Sequence, residues 1–331
     1  MYIHWTHYFL PKVFGLLSFV FNPAFIYLAS SDGKSCIGRY RYLLIGFAVF
    51  DVIYSAVEMA VPVAIDGTGT AFVIFVTDGF FFEPGPFSQL AISIRCGFIS
   101  LSYGILAIHF IYRYIVLFEP GTLDRLTRPS GLFVLLVYFL LHGVVWVLTC
   151  QYFLYGDEEL ADNIHDTFEK TYDVDSHQLV MLISLYFNGS HQIMMRSWTG
   201  ILILTAISVY AILLYVVLGY RIMKKLADNP GVSKTTQKLH RQLFRALAVQ
   251  TFIPICISFS PCMAAWYAPA LGIDLGMWNN YLGVIALSAF PVLDPLAIIV
   301  LLPNYRNKVF GFVKTGAGLV TSSMSSRVVR L

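Results

Sequence analysis

The chain has 331 residues, of which 57% are hydrophobic and 12% are charged. Soluble domains carry roughly 25% charged residues, so this composition excludes an ordinary soluble enzyme. Twenty-two basic residues against 19 acidic ones leave a net charge of only +3, which excludes a nucleic-acid-binding protein. The apolar residues occur in blocks long enough to cross a bilayer, and the sequence therefore predicts a polytopic membrane protein.

Seven apolar blocks reach the length of about 20 residues that a membrane-spanning helix requires. The predicted spans are 8–29, 42–65, 90–113, 131–154, 199–221, 243–267 and 281–302. Two shorter apolar runs, 71–76 and 179–187, predict an extramembrane hairpin or interfacial segments. The predicted fold is an all-α bundle of seven transmembrane helices over residues 1–303. A cytoplasmic tail over 304–331 begins with a short amphipathic helix.

Lysine and arginine orient the predicted spans, because cytoplasmic loops retain them. With the N-terminus outside, 18 of the 22 basic residues fall in cytoplasmic loops or in the tail. The loop 155–198 is acidic and contains the sequon Asn188-Gly189-Ser190, which is a glycosylation site only on the lumenal side. Both patterns predict an outer N-terminus and a cytoplasmic C-terminus.

Four segments, spread from the first loop to the tail, carry motifs that occur together in one family. They are Gly38-Arg39-Tyr40-Arg41-Tyr42-Leu43-Leu44 with Phe50-Asp51-Val52-Ile53-Tyr54-Ser55, His109-Phe110-Ile111-Tyr112-Arg113-Tyr114, Gln242-Leu243-Phe244-Arg245-Ala246-Leu247 with Gln250, Thr251 and Pro254, and Pro291-Val292-Leu293-Asp294-Pro295-Leu296 with Tyr305-Arg306. Together these segments resemble nematode seven-transmembrane chemoreceptors of the Str type.

The resemblance implies a chemosensory G-protein-coupled receptor in the plasma membrane of a sensory-neuron cilium. Its implied partners are an odorant-like small molecule and a heterotrimeric G protein, and no cofactor is expected. An enzyme is not expected either, because no nucleophile–base pair, metal-ligand spacing or phosphate-binding loop is present.

Three other kinds of seven-helix protein compete with the receptor. The main alternative is a ligand-gated cation channel subunit; the insect type has an inner N-terminus, which the charge distribution opposes. A retinal protein is excluded, because no lysine lies between Lys238 and Lys308 to form a Schiff base. A transporter is disfavoured, because the two halves of the chain show no convincing repeat.

The third predicted span carries polar residues on one face. Arg95, Phe98, Ser102, Leu106, His109 and Arg113 follow one another at spacings of three or four. Such spacing aligns side chains on a helix, and the polar members predict that this face points into the bundle. Arg113 is the candidate cytoplasmic switch residue, with a snorkelling arginine as the alternative. His109 is a second candidate, although a packed, hydrogen-bonded histidine is the simpler interpretation.

Three acids fall inside predicted spans, namely Asp51, Glu58 and Asp294. Each costs up to about 3 kcal/mol at mid-membrane, so they should face the bundle interior. Asp51 and Asp294 lie about 12–14 Å from the inner surface, at 1.5 Å per residue. We therefore predict that they share a layer and hold a sodium ion or one proton between them. Two separately hydrogen-bonded acids are the alternative.

The third cytoplasmic loop predicts the contact with the G protein. Lys234, Lys238, Arg241 and Arg245 are spaced by four, three and four residues and form one basic stripe. A stripe lying on anionic lipid headgroups is the alternative. The full set of predicted G-protein contacts is Arg113, Arg221, Lys224, Lys225, Lys234, Lys238, Arg241 and Arg245.

The ligand pocket is expected in the outer half of the bundle. Aromatic walls with few hydroxyls suit a small, weakly polar molecule. For Trp266 and Tyr281, anchoring at the membrane interface is the leading alternative. Cys96 and Cys150 lie near outer helix ends, and the sequence leaves open whether they are bridged. The candidate ligand-binding residues are Arg95, Phe98, Ser102, Tyr103, Ser258, Cys262, Trp266, Tyr281 and Ser288.

Overall fold

The computed structural model describes residues 3–31, 40–67, 69–228, 234–273 and 276–311. Within them the α-helices are α1 Trp5–Ser30, α2 Tyr40–Ala60, α3 Pro86–Phe118, α4 Pro120–Leu126, α5 Pro129–Phe153, α6 Glu158–Tyr172, α7 His191–Asp228, α8 Lys234–Pro254, α9 Ser260–Ala270 and α10 Gly276–Leu301. The strands are β1 Val63–Gly67, β2 Ala71–Val76 and β3 Met181–Leu185. A 3-10 turn spans Ser176–Gln178, and a π-helical turn spans Ile255–Phe259.

Six of these helices are long and apolar enough to cross a membrane, namely α1, α2, α3, α5, α7 and α10. The predicted sixth span, 243–267, falls on α8, the π turn and α9, which form one unbroken helical run over 234–270. The π turn follows Pro254, and proline both removes a backbone donor and crowds the preceding turn. The largely helical structure confirms the predicted all-α fold class.

Several helices end away from the predicted span limits. α2 ends at Ala60 and not near residue 65, because Pro62 has no N–H to continue the helix and β1 follows at once. α7 has 38 residues and is therefore about 57 Å long at 1.5 Å per residue, about twice the hydrocarbon thickness. The last turns of α7 thus extend beyond any bilayer that its middle crosses. The tail residues 303–311 are helical, and the rest of the predicted tail lies outside the described residues.

The two short apolar runs form strands and not helices. β2 lies at the centre of a three-stranded antiparallel sheet, between β1 and β3. The register pairs Val63 with Val76 on one side and Phe75 with Met181 on the other. The sheet therefore joins two segments that are more than a hundred residues apart in sequence.

Alternate strand residues belong to two different layers. Phe72 and Leu182 pack into the hydrophobic core of the helix bundle. Ala71, Val73 and Phe75 pack into a separate core with α6, where the Phe75 and Phe168 rings lie 5.1 Å apart. Because strand side chains alternate in direction, the bundle covers one face of the sheet and α6 covers the other. This end of the molecule is called the sheet end below.

α6 is fixed to the sheet end by its caps. The Asp157 carboxylate accepts a hydrogen bond from the Leu160 backbone N–H at the start of the helix, which satisfies a donor that the helix itself leaves unpaired. Beyond the helix, His177 contacts both Asp175 and Asp162. These hydrogen bonds raise the pKa of His177, because they stabilise the protonated ring.

α3 lies at the centre of the bundle. In its most apolar stretch 72% of the residues are buried, against 17% for α5. The predicted polar face of α3 therefore has neighbours along its whole length, and Arg95, Ser102, His109 and Arg113 are all buried. Arg95 lies toward the sheet end and Arg113 toward the opposite end, which is called the basic end below.

Candidate functional site

A cavity of about 30 Å³ lies beneath the sheet, between α3, α5 and α9. A volume of this size holds roughly two water molecules, so a larger occupant requires side chains to move. Its walls are mostly apolar and aromatic. The walls include Ile65, Phe72, Arg95, Cys96, Trp146, Cys150, Leu182, Ser184, Cys262 and Trp266.

Arg95 is the charged residue in the wall of this cavity. Its Nη2 donates to Glu58 Oε1 at 2.5 Å, and Ser288 Oγ donates to the same oxygen at 2.6 Å. Arg95 and Glu58 are only 2% and 5% exposed, and such buried charges are tolerated when they are paired. The Arg95 Nε–H has no hydrogen-bond partner among the described residues. Arg95 thus brings a buried, unpartnered donor to the boundary between this cavity and the neighbouring one, since it lines both.

Three thiols line the same cavity. Cys96 and Cys150 lie within hydrogen-bonding distance of each other, and Cys262 is close enough to interact with Cys96 electrostatically. All three are free cysteines, so the bridge that the sequence left open is not formed in this structure. Thiols are small and polarizable, and they make this part of the cavity wall only weakly polar.

The aromatic wall is formed by residues from three elements. The ring centroids of Trp146 on α5 and Trp266 on α9 lie 5.9 Å apart, and Phe72 on β2 lies 6.5 Å from Trp266. Trp266 is only 4% exposed. It therefore packs in the interior and does not anchor the helix at a membrane interface.

Only some of the predicted ligand-binding residues meet at the cavity. Arg95, Cys262 and Trp266 line it, and Ser288 donates to Glu58, the partner of Arg95. The others have different surroundings. Phe98 packs on Phe50 and Tyr54, Ser102 donates to the Ile99 carbonyl, Tyr103 stacks on Phe259, and the side chains of Ser258 and Tyr281 lie outside the described ones.

Sequence reasoning missed the strand residues of the wall, together with Trp146 and Cys150. Helix depth alone does not place the strands over the bundle. The only available signal was the short apolar runs 71–76 and 179–187, which indicated that both segments must be buried without crossing the membrane.

A second cavity of similar size lies on the other side of Arg95, toward α1. Its wall contains Glu58 and the pair Lys12–Asp78, whose Nζ and Oδ2 atoms are 2.8 Å apart. Arg95 and Glu58 thus separate an apolar cavity from a charged one. The apolar cavity is the better candidate for a weakly polar ligand, since burying such a molecule against the charged walls gains less free energy.

Deeper in the bundle, the structure brings Asp51 and Asp294 into one layer. They lie close enough to interact electrostatically. Both Asp294 oxygens accept hydrogen bonds from Gln250 Nε2, at 2.9 and 3.0 Å. The two Asp51 oxygens are buried and have no hydrogen-bond partner among the described residues. A bare buried carboxylate is unfavourable, so this position favours a bound proton or cation.

Arg113 is buried near the basic end and has no acidic partner among the described residues. Its guanidinium carbon lies 3.5 Å from the centre of the Tyr40 ring, in a cation–π contact. The Tyr40 hydroxyl is 3.1 Å from His109 Nδ1, which places His109 in the same cluster. The Nε and Nη2 donors of Arg113 have no hydrogen-bond partner among the described residues. Arg113 is therefore available to a new acceptor if the helices part.

Basic side chains surround this end of the bundle. The Gln237 amide donates to the Leu226 carbonyl at 2.9 Å and ties α8 to the end of α7. Lys225 is half-buried over the Phe118 ring, and the Lys234 side chain lies outside the described ones. The exposed members of the predicted contact set are Arg221, Lys224, Lys238, Arg241 and Arg245.

Comparison with known proteins identifies the family. A family sequence model described as "Serpentine type 7TM GPCR chemoreceptor Srj" matches residues 1–309. The chain belongs to the Srj family of serpentine chemoreceptors. It is 36% identical to "Serpentine receptor class J-38" of Caenorhabditis elegans over 94% of both chains. It is 24% identical to "G-protein coupled receptor str-33" of the same species, over 88% of this chain and 86% of the relative.

Membership in the Srj family settles the coarse identity. The resemblance to nematode serpentine receptors is confirmed, and receptors with Str names are among the relatives. "Serpentine receptor class r-10" of C. elegans is a further relative, 26% identical over 94% of this chain and 91% of its own. These are receptors and not enzymes, and the chain is accordingly a multi-pass membrane receptor of the chemosensory class.

Proposed function

We propose that this Srj receptor binds a small, weakly polar molecule in the cavity beneath the sheet and activates a heterotrimeric G protein at its basic end. The ligand is apolar over most of its surface and carries one hydrogen-bond acceptor. The acceptor is inferred because Arg95 lines the cavity and its buried Nε–H has no partner among the described residues. A buried donor of this kind favours ligands that complete its hydrogen bonding.

Binding is coupled to the basic end through the interior of the bundle. We propose that Asp51 and Asp294 hold one proton or a sodium ion in the resting state. The bare Asp51 carboxylate beside Asp294 supports this assignment. Arg113 then leaves the Tyr40 ring when α8 moves outward and donates to the G protein. The long α7, which projects past the membrane, and the basic side chains of α8 complete the docking surface.

The proposed orientation places the sheet end outside and the basic end in the cytoplasm. The charge distribution supports it, as does the exposure of Asn188 at the sheet end, where we propose that it is glycosylated. The receptor domain extends over residues 1–303 and the cytoplasmic tail over 304–331. The proposed location is the plasma membrane of a sensory cilium.

The decisive experiment expresses the chain in cells with a G-protein reporter and applies a panel of volatile and water-soluble compounds. We expect responses to compounds with a single carbonyl or ether oxygen on a small apolar frame. Responses should disappear when GTP turnover is blocked. The Trp266→Ala variant, which removes one aromatic wall, should shift the potency of an active compound at least tenfold. Phe252→Ala, in an exposed residue outside the cavity, is the matched control.

Two outcomes would contradict this proposal. Ligand-evoked currents that persist without GTP turnover would favour the channel alternative. A potency unchanged by Trp266→Ala would place the ligand elsewhere in the bundle.

A further inference from the structure

Two histidines and an aspartate form a compact cluster at the sheet end, on the side of α6 that faces away from the ligand cavity. They are His165, Asp175 and His177, and one ligand atom from each lies within 4.8 Å of the others. His165 belongs to α6, whereas Asp175 and His177 flank the start of the 3-10 turn. The cluster therefore connects α6 with the 3-10 turn that follows it.

We propose that this cluster is a binding site for a divalent transition-metal ion such as zinc, with His165, Asp175 and His177 as its three protein ligands. The proposal concerns metal binding alone and does not depend on which odorant or G protein the receptor uses.

The distances within the cluster suit zinc. The Oδ1 atom of Asp175 lies 3.0 Å from His177 Nδ1 and 3.5 Å from His165 Nδ1. Tetrahedral zinc with bonds of about 2.0–2.1 Å places its ligand atoms about 3.3–3.4 Å apart. Because all three ligand atoms lie within 4.8 Å of one another, small side-chain movements can bring them to one ion.

The second nitrogen of each imidazole faces a further carboxylate. His177 Nε2 is 2.9 Å from Asp162 Oδ1, and His165 Nε2 is 3.9 Å from Glu169 Oε2. Histidines that bind metals usually donate their other ring N–H to a carboxylate, which fixes the ring and strengthens the ligand. His177 makes such a hydrogen bond with Asp162, whereas the Glu169 carboxylate is near His165 but beyond hydrogen-bonding distance.

The donor set selects the metal. Imidazole nitrogen favours zinc, copper and nickel, whereas calcium and magnesium prefer oxygen ligands throughout. Two of the three ligands are imidazoles, so calcium and magnesium should not compete. The three side chains are about 40% exposed, which leaves room for one water molecule to complete the coordination.

The test titrates the purified full-length receptor in detergent with zinc chloride against a chromophoric zinc indicator. We expect one zinc ion per chain. His165→Gln and His177→Gln should each weaken binding at least tenfold, and Asp162→Asn should weaken it less. The matched controls are His191→Gln, an exposed histidine at the same end, and Asp166→Asn, an exposed acid on α6. Both controls should bind zinc as the unmodified receptor does.

Cobalt(II) in place of zinc gives a second readout. Tetrahedral coordination by imidazoles should produce visible absorption bands that His177→Gln abolishes, while gel filtration shows that this variant remains a folded monodisperse protein. Failure to bind zinc, zinc affinity unchanged in His165→Gln and His177→Gln, or equal loss in His191→Gln would each overturn the proposal. Displacement of zinc by an equal concentration of magnesium or calcium would overturn it as well.

Discussion

Arg95 and Glu58 form a charge pair that is almost completely withdrawn from solvent. Such a pair gains little net stability over apolar residues of similar size, but removing one partner leaves an uncompensated buried charge. The pair also lies between the two cavities, in contact with Ser288 of α10 and Tyr54 of α2. The structural role of the pair and its proposed role toward the ligand can therefore be separated by removing either one partner or both.

We expect Arg95→Met to lower the free energy of unfolding by about 3–5 kcal/mol. The double variant Arg95→Met with Glu58→Leu should recover most of that loss, but it should not respond to the ligand. Thermal unfolding in detergent measures the first effect and the reporter assay measures the second. Arg196→Met, in the more exposed pair with Asp157, is the matched control and should cost at most about 1 kcal/mol. A double variant no more stable than Arg95→Met alone would contradict the argument.

Asp51 and Asp294 give a second prediction for single residues. Asp51→Asn and Asp294→Asn should each shift the activation midpoint, and the effect of the double variant should differ from the sum of the two. The reason is that one proton or ion serves both carboxylates. Dose–response curves of the four receptors measure this coupling. Strictly additive shifts would show that each acid acts separately.

At the scale of elements, α8 and α9 are joined by the π turn after Pro254. Prolines and π turns are where helices bend, so the half of this span that carries Lys238 and Arg241 can move while the half that carries Trp266 stays against the cavity. A movement of α8 changes the contacts of Gln237 and Arg241 with the Leu226 carbonyl of α7. The π turn between α8 and α9 is thus the hinge that the proposed coupling between the cavity and the basic end would use.

Charge reversal tests whether the basic stripe of α8 contacts the G protein. Lys238→Glu combined with Arg241→Glu should abolish G-protein activation, because the two glutamates would repel an acidic partner surface that the basic stripe attracts. Delivery to the cell surface, measured with an extracellular tag, should remain at the wild-type level. Lys170→Glu, a charge reversal of an exposed lysine at the opposite end of the molecule, is the control and should leave activation intact. Loss of both delivery and activation would favour a stripe that merely rests on anionic lipids.

The sequence predicted the helices of the bundle well but predicted the sheet and its packing poorly, for a physical reason. Periodicity identified the inward face of α3, and Arg95, Ser102, His109 and Arg113 are all buried there. The strand residues Phe72 and Leu182 carry no comparable signal, because their pairing depends on contacts between segments far apart in the chain. Trp266 shows the same limit. Its depth was predictable, but its burial against Trp146 depends on how α9 packs on α5.

At the scale of the whole molecule, the sheet end and the basic end differ in charge. The acidic segment 155–190 lies at the sheet end, and the exposed lysines and arginines of α7 and α8 lie at the other. Because cytoplasmic loops retain basic residues, this difference in charge supports the proposed orientation, with the basic end in the cytoplasm. Asn188 sits in the turn between β3 and α7, where its side chain is exposed.

This orientation predicts a sugar at Asn188 and nowhere else in the described chain. Digestion with a glycosidase should reduce the apparent mass of the receptor, and Asn188→Gln should remove that shift. Asn163→Gln changes an exposed asparagine of α6 that is not part of a sequon. This control variant should keep the mass shift. An N-terminal tag should be stained on intact cells and a C-terminal tag only after permeabilisation. The opposite staining pattern would show that the receptor has the opposite orientation in the membrane.

The alternation within the strands has an evolutionary consequence. Phe72 and Leu182 line the proposed ligand cavity, while Val73, the neighbour of Phe72, packs in the separate core that contains α6. A substitution at Phe72 or Leu182 can therefore change ligand preference without weakening the packing between the sheet and α6. Related receptors can therefore acquire a different ligand preference through single substitutions in the strands, while the transmembrane helices stay unchanged.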